Sequence, residues 1–230
     1  MKEDKLKQLL SIVIENYIHK GDPIGSKFLH SLDMTEYAPS TLRKYLNLLE
    51  KEGLLYQPYN SSGRIPTVKG LSSYMESLLL LSSSAPATEE GEESPVIDLD
   101  YARNDLKSIV ETLGDFVDGA VVGFLREDEY YYLGLNNLLR ESLIADHETT
   151  RYLVKFIESK ELVQQLDARV LKKETIYYTF LENDEKPIAI VYTKVDINGY
   201  DAILSILGPS RVDHRKNVLI LKKFIEGYAT

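Results

Sequence analysis

The chain has 230 residues, 43% hydrophobic and 27% charged, a globular composition with room for two domains. It holds no cysteine, which excludes a disulfide framework, a thiolate zinc site and a cysteine nucleophile. No apolar run reaches membrane-spanning length, and the charged start Met1-Lys2-Glu3-Asp4 carries no signal core; the expectation is a cytoplasmic protein with no membrane partner. The net charge of −9 is unevenly spread, with residues 1–80 at +1 and the remainder at −10.

In chain order, Leu6, Leu9, Leu10, Val13, Ile14 and Tyr17 recur at helical spacing, and that helix stops near Lys20-Gly21-Asp22-Pro23. A short helix is predicted over Ser26 to Leu32, and a third from Pro39–Thr41 to Gly53. Residues 54–57 and 64–67 read as two strands around the turn-rich tip 58–63, and Thr67 reads as the cap of a fourth helix. Three helices followed by a hairpin is the order of a winged helix-turn-helix domain, set at 1–81. Residues 82–96 are small and acidic and read as a solvated linker. Over 97–230 the pattern predicts a helix from about Asp98 to Leu113, paired strands at 120–125 and 130–135, and a helix over 148–168. Three strands follow near 175–181, 188–195 and 201–207, and a helix from Val218 to Tyr228 closes the chain. Asn198-Gly199 marks a two-residue hairpin turn. The second domain is therefore expected to be α+β with an antiparallel sheet, in an order resembling GAF-type sensor domains.

Two surfaces of the first domain bear on function. On the third helix, Leu42, Tyr45, Leu46 and Leu49 share one face, while Ser40, Arg43, Lys44 and Asn47 share the opposite one. Thr41 opens the same helix. Such a polar face suits the major groove: Arg pairs with guanine, Asn with adenine, and a hydroxyl reaches phosphate. The plain alternative is an ordinary solvated helix face. In the hairpin, Pro58-Tyr59-Asn60-Ser61-Ser62-Gly63-Arg64 puts small polar residues and a cation at a tip, where Ser61, Ser62, Gly63 and Arg64 suit backbone or minor-groove contact. The plain alternative there is a surface turn. Lys27 and Lys69 are candidate phosphate contacts.

Four segments of this first domain, Gly25-Ser26-Lys27, Thr41-Leu42-Arg43, 49–55 and Ser61-Ser62-Gly63-Arg64-Ile65-Pro66-Thr67-Val68-Lys69-Gly70, resemble the HrcA family of heat-inducible transcription repressors. So do 134–139 and Leu207-Gly208-Pro209-Ser210-Arg211-Val212-Asp213 in the second. The resemblance implies a repressor of chaperone genes that binds an inverted-repeat operator, the CIRCE element, as a homodimer. It also implies modulation by the chaperonin GroEL, and a GAF-like second domain. Two features depart from the family pattern. Ala38-Pro39 and Lys44-Tyr45 replace its Ser-Ser and Asn-Asp in the recognition helix. Its long dimerising insertion is largely absent, because only Leu125 to Tyr131 separates the two strands where it would fall.

No catalytic constellation is legible, and no cofactor or metal is expected. His19, His30, His147 and His214 are scattered without ligand spacing. His214 beside Asp213 reads as a cap or surface pair rather than a dyad, and Tyr130-Tyr131-Tyr132 and Tyr177-Tyr178 read as packing rather than a ligand pocket. The rival to a DNA reader is a ligand-sensing or chaperone-binding module whose winged helix contacts protein.

Overall fold

A computed structural model describes residues 2–32, 37–84, 105–125, 129–139, 147–167, 171–181 and 187–228. It divides into two compact units, Met1–Ser77 and Leu78–Thr230.

The first unit opens with α1 (Lys2–Lys20), whose Leu9, Leu10, Ile12, Val13 and Ile14 are buried. Gly21, at φ 75°, ends it by donating its N–H to Tyr17 O at 2.8 Å, a left-handed cap that glycine adopts without strain. After α2 (Ser26–Ser31), α3 spans Pro39–Lys51. Pro39 supplies a preset φ where no N–H is needed. Leu42, Leu46 and Leu49 are almost wholly buried, each stabilising the unit by about 1.5–3 kcal/mol relative to exposure. At its end Gly53 N donates to Glu50 O and Leu54 N to Leu49 O, a Schellman closure that turns the chain straight into β1. β1 (Leu55–Tyr56) and β2 (Ile65–Pro66) pair antiparallel, and Arg64 exchanges both backbone hydrogen bonds with Ile24 at 2.8 and 2.9 Å. The hairpin base is thereby tied to the α1–α2 connection. α4 runs Val68–Ser84, three residues into the segment read as linker; residues 85–96 of that segment lie outside the described residues.

In the second unit five antiparallel strands order as β4-β3-β7-β6-β5: β3 (Ala120–Phe124), β4 (Tyr130–Leu133), β5 (Ile176–Leu181), β6 (Ile188–Ile197) and β7 (Tyr200–Pro209). The mix of helix and antiparallel sheet is α+β, as the sequence predicts. Asn198 and Gly199, at φ 53° and 85°, make the two-residue turn between β6 and β7. Ala120, Val122 and Phe124 of β3 pack with Leu153, Phe156 and Ile157 of α6 (His147–Glu158) and Leu162, Val163 and Leu166 of α7 (Glu161–Asp167). The opposite face carries Gly123, whose missing Cβ leaves room for Val110 and Leu106 of α5 (Leu106–Gly114). It also carries Phe180, whose ring meets His214 of α8 (His214–Tyr228) at 6.3 Å.

β6 and β7 each run two residues past their predicted ends, and four further boundaries differ from expectation for a local reason. α5 starts at Leu106 rather than near Asp98, because Asp105 is extended and its carboxylate accepts from Ser108 N at 2.8 Å as an N-cap; residues 98–104 lie outside the described residues. The strand predicted to Leu135 stops at Leu133, since Gly134 sits at φ 86° and a 3₁₀ turn, Leu135–Leu139, follows. The predicted 148–168 helix breaks at Ser159-Lys160, where Lys160 is left-handed at φ 59°. The last helix begins four residues before Val218, because Asp213 accepts from Lys216 N at 3.0 Å and starts it.

Candidate nucleic-acid interface

The predicted amphipathic face of α3 is realised. With Leu42, Leu46 and Leu49 buried, Ser40, Arg43, Lys44 and Asn47 are exposed and Thr41 is half-buried. Tyr45, predicted on the core side, is half-buried and meets Tyr37 edge-on at 5.4 Å. Lys27, on α2, is also exposed.

The outer end of the hairpin falls within the predicted tip, while Gly63 and Arg64 of the predicted polar run lie at its base. Its turn closes on Ser62, whose N–H and hydroxyl both reach Tyr59 O, at 3.1 and 2.7 Å, while Gln57 Nε2 donates to Ser62 O. The outermost residues are Tyr59, Asn60 and Ser61, all exposed, with Ser61 left-handed at φ 67°. Gly63 lies at the base: a Cβ there would sit 2.4 Å from the carbonyl carbon of Ile24, so the glycine serves a backbone crossing inside the unit. Arg64 is turned inward. Its side chain is only 13% exposed, with Nε donating to Glu50 Oε2 at 3.0 Å and Nη2 to Asn47 Oδ1 at 2.8 Å. The guanidinium therefore bonds the hairpin to α3.

The rest of that run continues the same work. Thr67 Oγ1 donates to Gly53 O at 2.7 Å and accepts from Gly70 N at 3.1 Å, capping α4 as predicted. Lys69 Nζ donates to Glu52 O, the free end of α3, at 2.7 Å. Gly70 stands where a Cβ would lie 2.1 Å from Leu54 O. Ser40, Arg43, Lys44 and Asn47 thus form one open patch, with Ser61 on the neighbouring hairpin and Lys27 on α2. Ser62, Gly63, Arg64 and Lys69 act first within the fold. Sequence reasoning passed over Glu50 and Tyr59. Glu50 lies three residues after Asn47, one turn along the helix, and that spacing was the available signal for the first. A large aromatic in a turn was the signal for the second.

Among the described residues of the second unit, the aromatic side chains singled out in the sequence pack against neighbours. Tyr130 stacks on Phe124 and donates its hydroxyl to Ile157 O at 2.8 Å, and Tyr177 stacks on Tyr192 at 5.6 Å. Tyr131 and Tyr132 are partly exposed on the edge strand β4. His214 is fully buried, which corrects the surface half of the cap-or-surface reading, while Asp213 caps the helix. His214 Nε2 lies 2.9 Å from Ser210 O, the geometry of an N–H donor, and burial holds the imidazole below its ordinary range. Asn137 directs its amide at the carbonyls of Gly114, Val117 and Gly119 and pins the turn before β3. Among the described residues no group of three His, Cys, Asp or Glu side chains is placed to hold a metal, and no helix is long and apolar enough to cross a membrane.

These features define a two-unit α+β protein: a helical unit with a small hairpin and an open basic helix face, then a five-stranded sheet with helices on both sides. The family model described as "HrcA protein C terminal domain" matches residues 71–218, well over half of the chain, and the chain belongs to the HrcA family. It is similar to the "Heat-inducible transcription repressor HrcA" of Onion yellows phytoplasma (strain OY-M), at 44% identity over 79 residues. It is similar at 34% over 79 residues to the protein of the same name from Brevibacillus brevis. Each match covers 34% of this chain and 23% of the relative, so it spans about a quarter of the relatives' length. A crystal structure of a protein described as hypothetical shares the fold, with a TM-score of 0.70 at 19% identity over 98% of both chains.

Proposed function

We propose that the chain is a DNA-binding transcription repressor of heat-shock genes, with a winged-helix first domain (1–81) and a GAF-like second domain (97–230) joined through 82–96. In this reading α3 enters the major groove, and Ser40, Thr41, Arg43, Lys44 and Asn47 meet base edges or phosphate. Tyr59, Asn60 and Ser61 ride on the adjacent backbone, and Lys27 holds phosphate. Ser62, Gly63, Arg64 and Lys69 set the angle between hairpin and helix. The observation that carries the reading is the open Ser40-Arg43-Lys44-Asn47 face beside the hairpin, in a member of a family whose relatives bear the repressor name. An inverted-repeat operator of the CIRCE type, read one half-site per protomer, requires a two-fold homodimer. GroEL is the chaperone partner that the family resemblance implies, and a cytoplasmic location suits it.

The test is fluorescence anisotropy of a labelled inverted-repeat duplex against a scrambled duplex, in about 0.15 M salt. Binding of the repeat at least a hundredfold tighter than the scramble supports the repressor. Equal, weak binding to both by a folded protein removes it and leaves a protein-contacting module.

A further inference from the structure

The pairing of Arg64 with Asn47 constrains more than the hairpin angle. A guanidinium carries only donors, so the Asn47 atom facing it at 2.8 Å must be the amide oxygen. The Asn47 NH₂ is then the end left to the exposed surface of α3. Reversing the amide would set donor against donor beside a cation. Arg64 itself has little freedom to follow a ligand: Glu50 holds its Nε, Ser62 O lies 3.4 Å from Nη1, and its backbone is paired in both directions with Ile24. The Gly63 crossing fixes where that backbone runs.

From this geometry we infer that Arg64 is a positioning residue for base reading, turning the Asn47 NH₂ outward so that Asn47 selects guanine in preference to adenine. The familiar bidentate contact of Asn with adenine uses the amide oxygen to accept from N6–H₂ and the amide nitrogen to donate to N7. With the oxygen turned toward Arg64 and one of its two lone pairs taken there, it is drawn away from adenine N6–H₂, and the NH₂ is the end that meets the base. Guanine presents two neighbouring acceptors, O6 and N7, and no major-groove donor, which matches an NH₂ group. Glu50 is the third member of the arrangement: its carboxylate keeps the guanidinium from turning out toward phosphate.

The inference rests on the repressor reading, so the experiment separates the two. Labelled inverted-repeat duplexes with each half-site position varied symmetrically are titrated with the wild type, Asn47→Ala and Arg64→Met, always beside a scrambled duplex. The repeat-versus-scramble comparison with the wild type judges the repressor reading, and its failure overturns both. Given selective binding, Asn47→Ala is expected to flatten the base preference at one position. There the wild type should favour guanine over adenine by about fivefold or more, the lower end of a base-specific contact. Arg64→Met should move that preference toward adenine. Adenine preferred by the wild type at that position, or an Asn47→Ala profile identical to wild type, overturns the inference while the repressor stands. An Arg64→Met protein that folds and keeps the guanine preference also overturns it. Should Arg64→Met not fold, the comparison of wild type with Asn47→Ala still decides.

Discussion

Gly70→Ala sets two effects of opposite sign against each other. Gly70 lies in the first turn of α4, and by helix propensity alone alanine would stabilise the unit by about 1 kcal/mol. Its added Cβ would lie 2.1 Å from Leu54 O, against 3.4 Å for ordinary contact. The obstacle is backbone, and that carbonyl already accepts from Thr67 N at 3.1 Å, with the Thr67 hydroxyl, bonded to Gly53 O, beside it. Relief requires α4 to shift by about 1 Å from β1, which strains a packed contact at roughly 1–3 kcal/mol and weakens that bond by about 1 kcal/mol more. The clash wins, with a net loss of about 1–3 kcal/mol. For a unit of this size that lowers the transition midpoint by about 5–20 °C. Scanning calorimetry of the full chain should show it as a shift in one of its transitions. Gly25→Ala is the comparison without a clash, since nothing lies within 4 Å of a Cβ there; it removes only a glycine N-cap, and its cost should stay below about 1 kcal/mol. A Gly70→Ala protein as stable as wild type would mean that α4 does not pack on Leu54 in this way.

Asn137→Ala removes a donor shared by three carbonyls and should destabilise the second unit by about 2 kcal/mol; Asn137→Asp, which points a carboxylate at the same oxygens, should cost more, as urea titration would read. Burial depresses the His214 pKa, so below the ordinary value near 6.5 the unfolded chain binds a proton that the native chain refuses. That contribution to stability is complete above about pH 6.5 and is lost as pH falls, by at most about 1.4 kcal/mol per unit; His214→Leu should flatten the urea midpoint between pH 7 and 5, and an unchanged slope would refute the assignment. Arg43→Ala should weaken binding to the preferred operator by about 1–3 kcal/mol and relax discrimination at one base; an equal loss on scrambled DNA would mean that Arg43 holds phosphate only.

The helical elements of the first unit were legible because each is punctuated locally. Gly21, Pro39, Gly53 and Thr67 stand where a chain must start or stop a helix, and leucine periodicity does the rest. The Asn198-Gly199 hairpin was legible for the same reason. The misplaced boundaries lie where one side chain outranks the pattern: Asp105 and Asp213 cap, Gly134 turns, and Lys160 takes a left-handed backbone that no composition rule expects. The candidate face on α3 followed from its period alone. The role of Arg64 did not, because a cation at a hairpin looks the same in sequence whether it faces phosphate or reaches Glu50 and Asn47, and that choice depends on the backbone meeting Ile24 across Gly63. Within the run Ser61 to Gly70, Gly63, Arg64, Thr67, Lys69 and Gly70 all make or permit contacts inside the unit, and apart from the Thr67 cap none of these was legible from composition.

The internal use of Arg64 and Lys69 also sets how this protein should respond to salt. The first eighty residues are near neutral, and these two cations are committed to Glu50, Asn47 and Glu52 O. Lys27, Arg43 and Lys44 remain exposed at the proposed interface, and Arg43 is assigned to a base. About two to three phosphates per protomer would then be neutralised, or about four to six for two half-sites. At roughly 0.9 per phosphate, the slope of log K against log salt should fall near −4 to −5. Anisotropy titrations between about 0.05 and 0.3 M salt measure it directly. A slope of about −7 to −9 would show that Arg64 and Lys69 leave their internal partners on binding, which would also unseat the orientation of Asn47. A slope near zero would mean that the phosphate backbone is not engaged at all. An intermediate slope leaves a reader with little nonspecific attraction, so that the affinity of a dimer for its repeat must come from base contacts and from holding two half-sites at once.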